Sequence, residues 1–202
     1  MGESKNSNEP ILVVVSGPSG VGKDSVIQNL KESIINCHFT ITATTRDRRP
    51  SEIDGKDYIF LDKVAFSKKV HLDQFLEYAE VYGNSYGIPT KQVTDALSHG
   101  KDVIIKADVQ GASTIKNKVE GSILIFLKPP STEDLEKRLR KRHTEDDAQL
   151  DLRLATAKDE LSKIDIFDYV VVNDNIIDAS EQIKHIINTQ KCSQHRTKIK
   201  IF

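Results

Sequence analysis

The stretch GPSGVGKDS, residues 17–25, constrains the fold of this chain more than any other, because its first seven residues have the spacing GxxxxGK. An apolar, β-branched run, ILVVV, precedes it, and a helical pattern, DSVIQNLKESI, follows it. A strand, a glycine-rich turn and a helix N-terminus in this order aim backbone N–H groups and the positive end of a helix dipole at one point. The stretch therefore predicts a phosphate-binding loop in which Lys23 adds a positive charge.

The rest of the chain alternates between apolar runs and helical patterns. Strands are predicted at DVIIKAD, SILIFL and YVVV, and helices at TKQVTDALSHG, STEDLEKRLRKR and AQLDLRLATAKDEL. Continuous apolar runs are typical of strands that are buried on both faces of a parallel sheet. The alternation therefore predicts an α/β fold, with a parallel sheet flanked by helices.

Two segments depart from this alternation. Residues 40–86 are polar and turn-rich, with turns marked by Pro50 and by Asp54-Gly55, and they are predicted to form a small inserted subdomain of short strands. Residues 133–153 are highly charged and helical. A segment of this composition is expected to bury little apolar surface and to be mobile.

The composition indicates one globular unit, since 38% of the 202 residues are hydrophobic and 29% are charged. The net charge of -1, the absence of a membrane-length apolar run and the absence of a signal-peptide core predict no nucleic-acid or membrane partner. Two cysteines without zinc or redox spacing favour a reducing compartment, and we expect a cytoplasmic protein that requires no protein partner. The basic residues near the C-terminus are expected to be a solvated end: Lys191, Arg196, Lys198 and Lys200.

Two further groups of residues are candidates for ligand binding. Arg46 and Arg49 lie three residues apart and near Tyr58 in sequence, and two guanidinium groups with a phenol could hold a phosphate dianion. A solvated basic loop is an equally open interpretation of this stretch. Glu77 lies between aromatic residues, where a carboxylate is ordinarily a surface ion.

The motifs GPSGxGK, TTRxxR, FLEYA…YGNSYG, VQG, PPS and VVND occur in the order seen in guanylate kinases, and the resemblance runs from about residue 11 to about residue 187. The resemblance implies transfer of the γ-phosphoryl group of ATP to GMP, with Mg²⁺ accompanying ATP. It also implies a P-loop NTPase-type core, a small mixed α+β GMP-binding insert and a helical lid. The implied boundaries are a disordered tail at 1–9, core at 10–40, 89–132 and 156–202 (the last with a C-terminal tail), GMP-binding subdomain at 41–88 and lid at 133–155.

The resemblance also implies the site residues. ATP is assigned to Gly17, Ser19, Gly20, Val21, Gly22, Lys23, Asp24, Ser25 and Asn173. GMP is assigned to Thr42, Arg46, Arg49, Tyr58, Glu77, Tyr86 and Asp108. The catalytic group comprises Lys23, Arg46, Arg138, Arg142 and Arg153. No strong base is required, because phosphoryl transfer depends on positioning and on stabilising charge.

The chain departs from the family pattern at several positions. Ile88 stands where a Ser or Thr is usual, so one hydroxyl near the base is lost and guanine selectivity should depend more on Glu77 and Thr42. Ser51 and His143 each replace a glycine, which changes only the conformational freedom of turns.

The remaining departure from the family pattern involves two positions. Asp24 replaces the hydroxyl residue of the loop, and Lys106 replaces an acid at the end of a predicted strand. One interpretation is independent drift in a degraded site. The other is a charge swap, in which Asp24 is the metal ligand and Lys106 balances its charge, because the loop and the strand end should meet at one sheet edge.

Two alternatives to a guanylate kinase remain open on the sequence. One is a nucleoside monophosphate kinase with another base preference, against which Glu77 argues. The other is a non-catalytic guanylate-kinase-like module that binds phosphorylated peptides. Such modules usually lack the phosphate loop, whereas Lys23 and the loop glycines are present here.

Overall fold

The computed structural model describes residues 9–81, 83–140, 147–193 and 197–202. The predicted site residue Arg142, the departure at His143 and the basic residue Arg196 lie outside the described residues. In chain order the elements are β1 (Leu12–Ser16), α1 (Lys23–Ser33), β2 (Cys37–Phe39), β3 (Ala43–Thr44), β4 (Ile59–Phe60), α2 (Lys63–His71), β5 (Phe75–Val81), β6 (Asn84–Pro89), α3 (Thr90–Ser98), β7 (Asp102–Lys106), α4 (Val109–Lys118), β8 (Val119–Glu120), β9 (Ile123–Lys128), α5 (Thr132–Arg140), α6 (Asp147–Ser162), β10 (Tyr169–Val172), α7 (Ile176–Cys192) and β11 (Lys200–Ile201).

The central sheet has five parallel strands in the order β10-β9-β1-β7-β2. In its middle, Val13 of β1 is in register with Ile104 of β7 and Ile123 of β9. The predicted α/β fold is therefore confirmed, and each apolar run is a strand of this sheet. The edge strand β2 was not predicted, because it has three residues and all of them are only half-buried.

The core explains why the strands are continuously apolar. Side chains of β1 alternate between two clusters, with Leu12 and Val14 in one and Val13 and Val15 in the other. The first cluster includes residues of α3 and α4, and the second includes residues of α1 and α7. Because helices cover both faces, neither face of the strand can carry polar side chains.

The inserted segment forms a second sheet, in the order β4-β3-β6-β5, with one parallel and two antiparallel pairings. Ala43, Phe66 and Phe75 form its own small core, in which the two phenylalanine rings stack at 4.6 Å between centroids. The helix α2 in this segment was not predicted. Its sequence gives a weak signal, since only Phe66 is buried along its length.

The charged segment that includes α5 and α6 buries more apolar surface than expected. Leu135 and Leu139 of α5 pack with Ala157 of α6 in a separate cluster. A Cβ atom at Gly20 of the phosphate loop would lie 2.7 Å from Leu139 Cδ2, so α5 is packed directly on that loop. The prediction that this segment buries little apolar surface was wrong, because its apolar positions recur on one face of α5.

The C-terminal end of the chain is packed on the core. Strand β11 pairs with β8, and Ile199 and Ile201 contact the first core cluster. The prediction of a solvated end was wrong at Lys191, whose ammonium lies 2.7 Å from the buried carboxylate of Asp102. Lys198 and Lys200 form more exposed ion pairs. None of the helices in the described parts of the chain has the length and apolar composition that a membrane crossing requires.

Candidate active site

The phosphate loop lies between β1 and α1, at the carboxyl edge of the parallel sheet, as its sequence predicts. Gly22 has a φ of 100°, which is in the left-handed region that favours glycine. A Cβ atom at this position would lie 2.6 Å from Nδ2 of Asn173. Gly22 is therefore required both by the backbone conformation and by the close approach of Asn173.

Lys23 turns its side chain back toward the loop. Its ammonium donates hydrogen bonds to the backbone carbonyl groups of Gly17 and, at 3.1 Å, Pro18. Burial lowers the pKa of the Lys23 ammonium, and the carboxylates of Glu160 and Asp24 partly oppose that shift. The loop thus holds the partly buried ammonium of Lys23, a positive charge suited to anionic oxygens.

Two of the three predicted lid arginines contact the loop or its surroundings. Arg138 donates to the carbonyl groups of Val21 at 3.2 Å and Asn173 at 3.0 Å. Arg153 donates to Ser19 Oγ at 2.8 Å. The buried amide of Asn173 donates to the Val21 carbonyl at 2.7 Å, so the same loop residue receives both contacts.

Glu160 of α6 was not among the residues predicted from the sequence. Its Oε2 accepts a hydrogen bond from the backbone N–H of Ser19 at 3.3 Å. Burial raises the pKa of the Glu160 carboxyl, and Lys23 opposes the shift. The spacing in the sequence could have identified Glu160, because it follows Arg153 by two helical turns and so lies on the same face of the helix.

A cleft of about 440 Å³ runs from the loop to the inserted sheet. Glu77 of β5 lines it and is only 5% exposed, so it is not the surface ion that its sequence context would ordinarily suggest. Burial raises the pKa of the Glu77 carboxyl to about 8, and the nearby charge of Asp108 acts in the same direction. Asp108 itself caps α4, because its Oδ1 accepts from the backbone N–H of Gly111 at 2.7 Å.

The same cleft is lined by Thr42, Tyr58 and Tyr86 of the predicted GMP set. Thr42 is buried, with 8% of its surface exposed. Ile88 is fully buried and lies opposite Glu77 in the register of β5 and β6, so that position contributes no hydroxyl to the site.

Arg46 lies beside Tyr58, with its guanidinium carbon 5.4 Å from the ring centroid. Tyr58 in turn contacts Tyr86 edge-on, at 6.4 Å between centroids. Glu52 holds this group in place, because it forms an ion pair with Arg46 at 2.7 Å and accepts from the backbone N–H of Arg49 at 2.8 Å. No role was predicted for Glu52 from the sequence, although it continues the spacing of three residues from Arg46 to Arg49.

Arg49 and Ser25 lie away from this cleft. Both line a second cavity of about 640 Å³, which Asp24 and Lys106 also line together with residues of α1 and of the loop before β4. Ser51 lines the same cavity and has no positive φ, so the lost glycine causes no backbone strain there.

Asp24 and Lys106 are neighbours, as the sequence predicts. The Lys106 ammonium lies 2.6 Å from Asp24 Oδ1. Among the described residues no group of three or more His, Cys, Asp or Glu side chains could hold a metal ion. The carboxylates of Asp24 and Asp108 line the cleft, and one or two such oxygen ligands fit Mg²⁺ that is bound mainly by phosphate groups.

Comparison with known proteins gives one consistent result. The sequence model of the family described as "Guanylate kinase" matches residues 9–190. The chain is 44% identical to a guanylate kinase of Clostridium tetani over 93% of this chain and 90% of the relative. It is also 44% identical to guanylate kinase 2, chloroplastic/mitochondrial, of Oryza sativa subsp. japonica, over 96% of this chain and 69% of the relative. The crystal structure of guanylate kinase from Anaplasma phagocytophilum matches with a TM-score of 0.77 and 31% identity, and the match covers 95% of this chain and 90% of the other.

Proposed function

The chain belongs to the guanylate kinase family, and we propose that the cleft between its phosphate loop and its inserted sheet is the active site. As a nucleoside monophosphate kinase, it transfers a phosphoryl group from ATP to GMP. One observation carries the assignment of the site: Gly20, Gly22 and Lys23 of the loop line the same cleft as the buried carboxylate of Glu77. The phosphate loop and the acid that is proposed to recognise the base therefore line one cleft.

We assign guanine recognition to Glu77. A carboxylate can accept hydrogen bonds from the ring N–H and the exocyclic amine of guanine together, and adenine offers no such pair of donors. A buried carboxylate that is left unpaired disfavours the wrong base strongly. Thr42, which directly precedes β3, is assigned to the base, and Asp108 is assigned to the ribose of GMP.

The phosphate of GMP is assigned to Arg46, Arg49, Tyr58 and Tyr86. Arg46 and the two phenols already lie together, and the ion pair with Glu52 orients the Arg46 guanidinium. Arg49 lines the second cavity, which Tyr58 also lines. Its side chain would have to turn toward Tyr58 to share the phosphate, and its exposure leaves it free of packing that would prevent this.

ATP is assigned to the loop, with its phosphates on the backbone N–H groups of residues 17–25 and its adenine toward Asn173. Lys23, Arg138 and Arg153 are the cations that would stabilise charge on the transferring phosphoryl group. Arg142 is proposed to join them from the part of the lid that lies outside the described residues. Closure of the lid over the phosphates would exclude water and so suppress hydrolysis of ATP.

Phosphoryl transfer in this family generally uses Mg²⁺ with ATP, and we propose that Asp24 is the residue of this chain that holds it. Bound Mg²⁺ would neutralise charge on the phosphate oxygens. A carboxylate oxygen is a hard ligand that suits this ion, whereas the ammonium of Lys106 keeps the net charge at the loop close to that of a neutral hydroxyl. The readout is Mg²⁺ binding to the protein with ADP, which should weaken in Asp24→Asn.

We further propose that the protein is cytoplasmic and requires no nucleic-acid, membrane or protein partner. Cys37 and Cys192 are both free thiols, which suits a reducing compartment.

The test of the function is release of ADP from ATP, coupled to a spectroscopic readout, with GMP, dGMP, AMP and UMP compared as acceptors. We expect turnover with GMP that exceeds turnover with AMP or UMP by several orders of magnitude, and loss of this preference in Glu77→Gln. Binding of GMP without release of ADP would instead indicate a non-catalytic binding module.

A further inference from the structure

Lys106 contacts both sides of the proposed active site. It ends β7, and its ammonium lies 2.6 Å from Asp24 Oδ1 on the ATP side. The same ammonium lies 3.2 Å from the hydroxyl oxygen of Tyr58 on the GMP side, and 5.0 Å from the centroid of the Tyr58 ring. One cation therefore links the phosphate loop to the inserted sheet.

The chemistry of these contacts fixes the direction of each hydrogen bond. An ammonium group donates and cannot accept, so the Tyr58 oxygen must accept from Lys106. The hydroxyl proton of Tyr58 is then directed away from Lys106 and is available to another acceptor.

The three residues in contact also line both cavities. Asp24, Tyr58 and Lys106 line the cleft of about 440 Å³ and the second cavity of about 640 Å³. The contacts of Lys106 therefore border the space in which the substrates are proposed to bind.

We propose that Lys106 is a positioning residue for GMP: Asp24 holds its ammonium, and the ammonium fixes the Tyr58 hydroxyl as a hydrogen-bond donor toward the GMP phosphate. The proposal rests on the proposed function, because it takes that phosphate to lie beside Tyr58. It gives Asp24 a second role, since a residue of the ATP loop then acts on the acceptor substrate.

The alternative is that Lys106 acts only by neutralising Asp24 beside the phosphates of ATP and has no effect on Tyr58. The two roles predict effects on different substrates. Neutralisation predicts that removal of Lys106 raises KM for ATP, and that the effect disappears when Asp24 is also removed. Positioning of Tyr58 predicts an effect on GMP that depends on Tyr58 and becomes smaller without Asp24, which holds the ammonium.

The experiment compares binding of GMP and of guanosine, which lacks the phosphate, together with steady-state kinetics. We expect Lys106→Met to weaken GMP binding about tenfold, as for loss of a hydrogen bond to a charged group, and to leave guanosine binding within about twofold. Lys106→Met should add nothing in a Tyr58→Phe background, and its effect on GMP should be smaller in an Asp24→Ser background, where the ammonium has lost the carboxylate that holds it. Lys106→Arg, which keeps a charged donor, should recover part of the loss. Lys91→Met removes an exposed lysine from a 2.7 Å ion pair with Asp95 and is the matched control.

The proposal is overturned if Lys106→Met weakens guanosine and GMP equally, raises only KM for ATP, or multiplies with Tyr58→Phe. The binding measurements also separate the inference about Lys106 from the proposed catalytic function. If the wild-type protein does not transfer phosphoryl groups but its preference for GMP over guanosine depends on Lys106 through Tyr58, the proposed catalytic function fails and the inference stands.

Discussion

Gly111 of α4 lies against the carboxylate of Glu77: a Cβ atom at Gly111 would be 2.8 Å from Oε2 and 3.0 Å from Cδ. The backbone N–H of Gly111 is also the group that Asp108 caps. The first turn of α4 therefore positions the carboxylate of Asp108 and leaves room for the carboxylate of Glu77. The space in which Glu77 reads guanine depends on the missing side chain of Gly111.

Gly111→Ala should weaken binding of GMP and leave the free energy of unfolding nearly unchanged. The added methyl group must displace the carboxylate of Glu77 by a few tenths of an ångström, and we expect KM for GMP to rise about tenfold with KM for ATP unchanged. Alanine is more favourable than glycine within a helix by about 0.5–1 kcal/mol, which offsets crowding, so the free energy of unfolding should change little. Steady-state kinetics and urea titration measure the two effects, with the exposed Asn117→Ala in the same helix as control. An equal loss of affinity for both substrates would contradict the assignment of Glu77 to guanine.

Binding of GMP should release a proton from Glu77. Its pKa of about 8 keeps the carboxyl largely protonated at pH 7, whereas guanine requires the ionised form. Affinity for GMP should therefore increase as the pH rises through 8 and level off above it. Calorimetry in two buffers of different ionisation enthalpy should give close to one proton released at pH 7 in the wild type. The GMP phosphate titrates equally in Glu77→Gln, so the difference between the two proteins isolates this carboxyl. Equal proton release in both would show that Glu77 is already ionised.

The elements that the sequence predicts correctly are those with a local physical cause. Strands β1, β7 and β9 are buried on both faces, and their continuous apolar runs follow directly from that. The contact between Asp24 and Lys106 was predictable for a related reason, because a loop after one parallel strand and the end of its neighbour meet at one sheet edge.

The elements that escaped prediction depend on neighbours far away in the sequence. Strand β11 has two residues and exists only because β8 offers a partner. Glu160 looks like an ordinary exposed acid in sequence, and only the fold brings it to the backbone of Ser19. The resemblance to a family supplied most of the site residues, but it assigned no role to Glu160 or to Glu52, although Glu52 lies only six residues from Arg46.

Glu160→Gln should bind ATP more tightly than the wild type. The Glu160 carboxylate occupies the Ser19 N–H, a donor that the proposed function assigns to phosphate, and it brings a negative charge to the loop. Glutamine keeps an oxygen for the same contact but removes the charge. We expect KM for ATP to fall by roughly fivefold, which corresponds to about 1 kcal/mol. Asp159→Asn removes a charge from an adjacent, largely exposed position and is the control. A rise in KM for ATP would mean that Glu160 supports the bound nucleotide instead of competing with its phosphates.

Lys191→Met should destabilise the protein although it lies far from the site. Asp102 at the start of β7 is only 5% exposed, and it joins Lys191 of α7 at 2.7 Å and the backbone N–H of Ile11 at 3.1 Å. Loss of the lysine leaves a buried carboxylate without its cation, and we expect the free energy of unfolding to fall by about 3 kcal/mol. Lys184→Met, which breaks an exposed pair with Glu181 in the same helix, should cost less than about 1 kcal/mol. Urea denaturation at pH 7 measures both, and Asp102→Asn combined with Lys191→Met should recover part of the loss, because no unpaired charge then remains. If the two lysine variants were equally stable, the pair that ties α7 to the sheet would contribute no more than a surface ion pair.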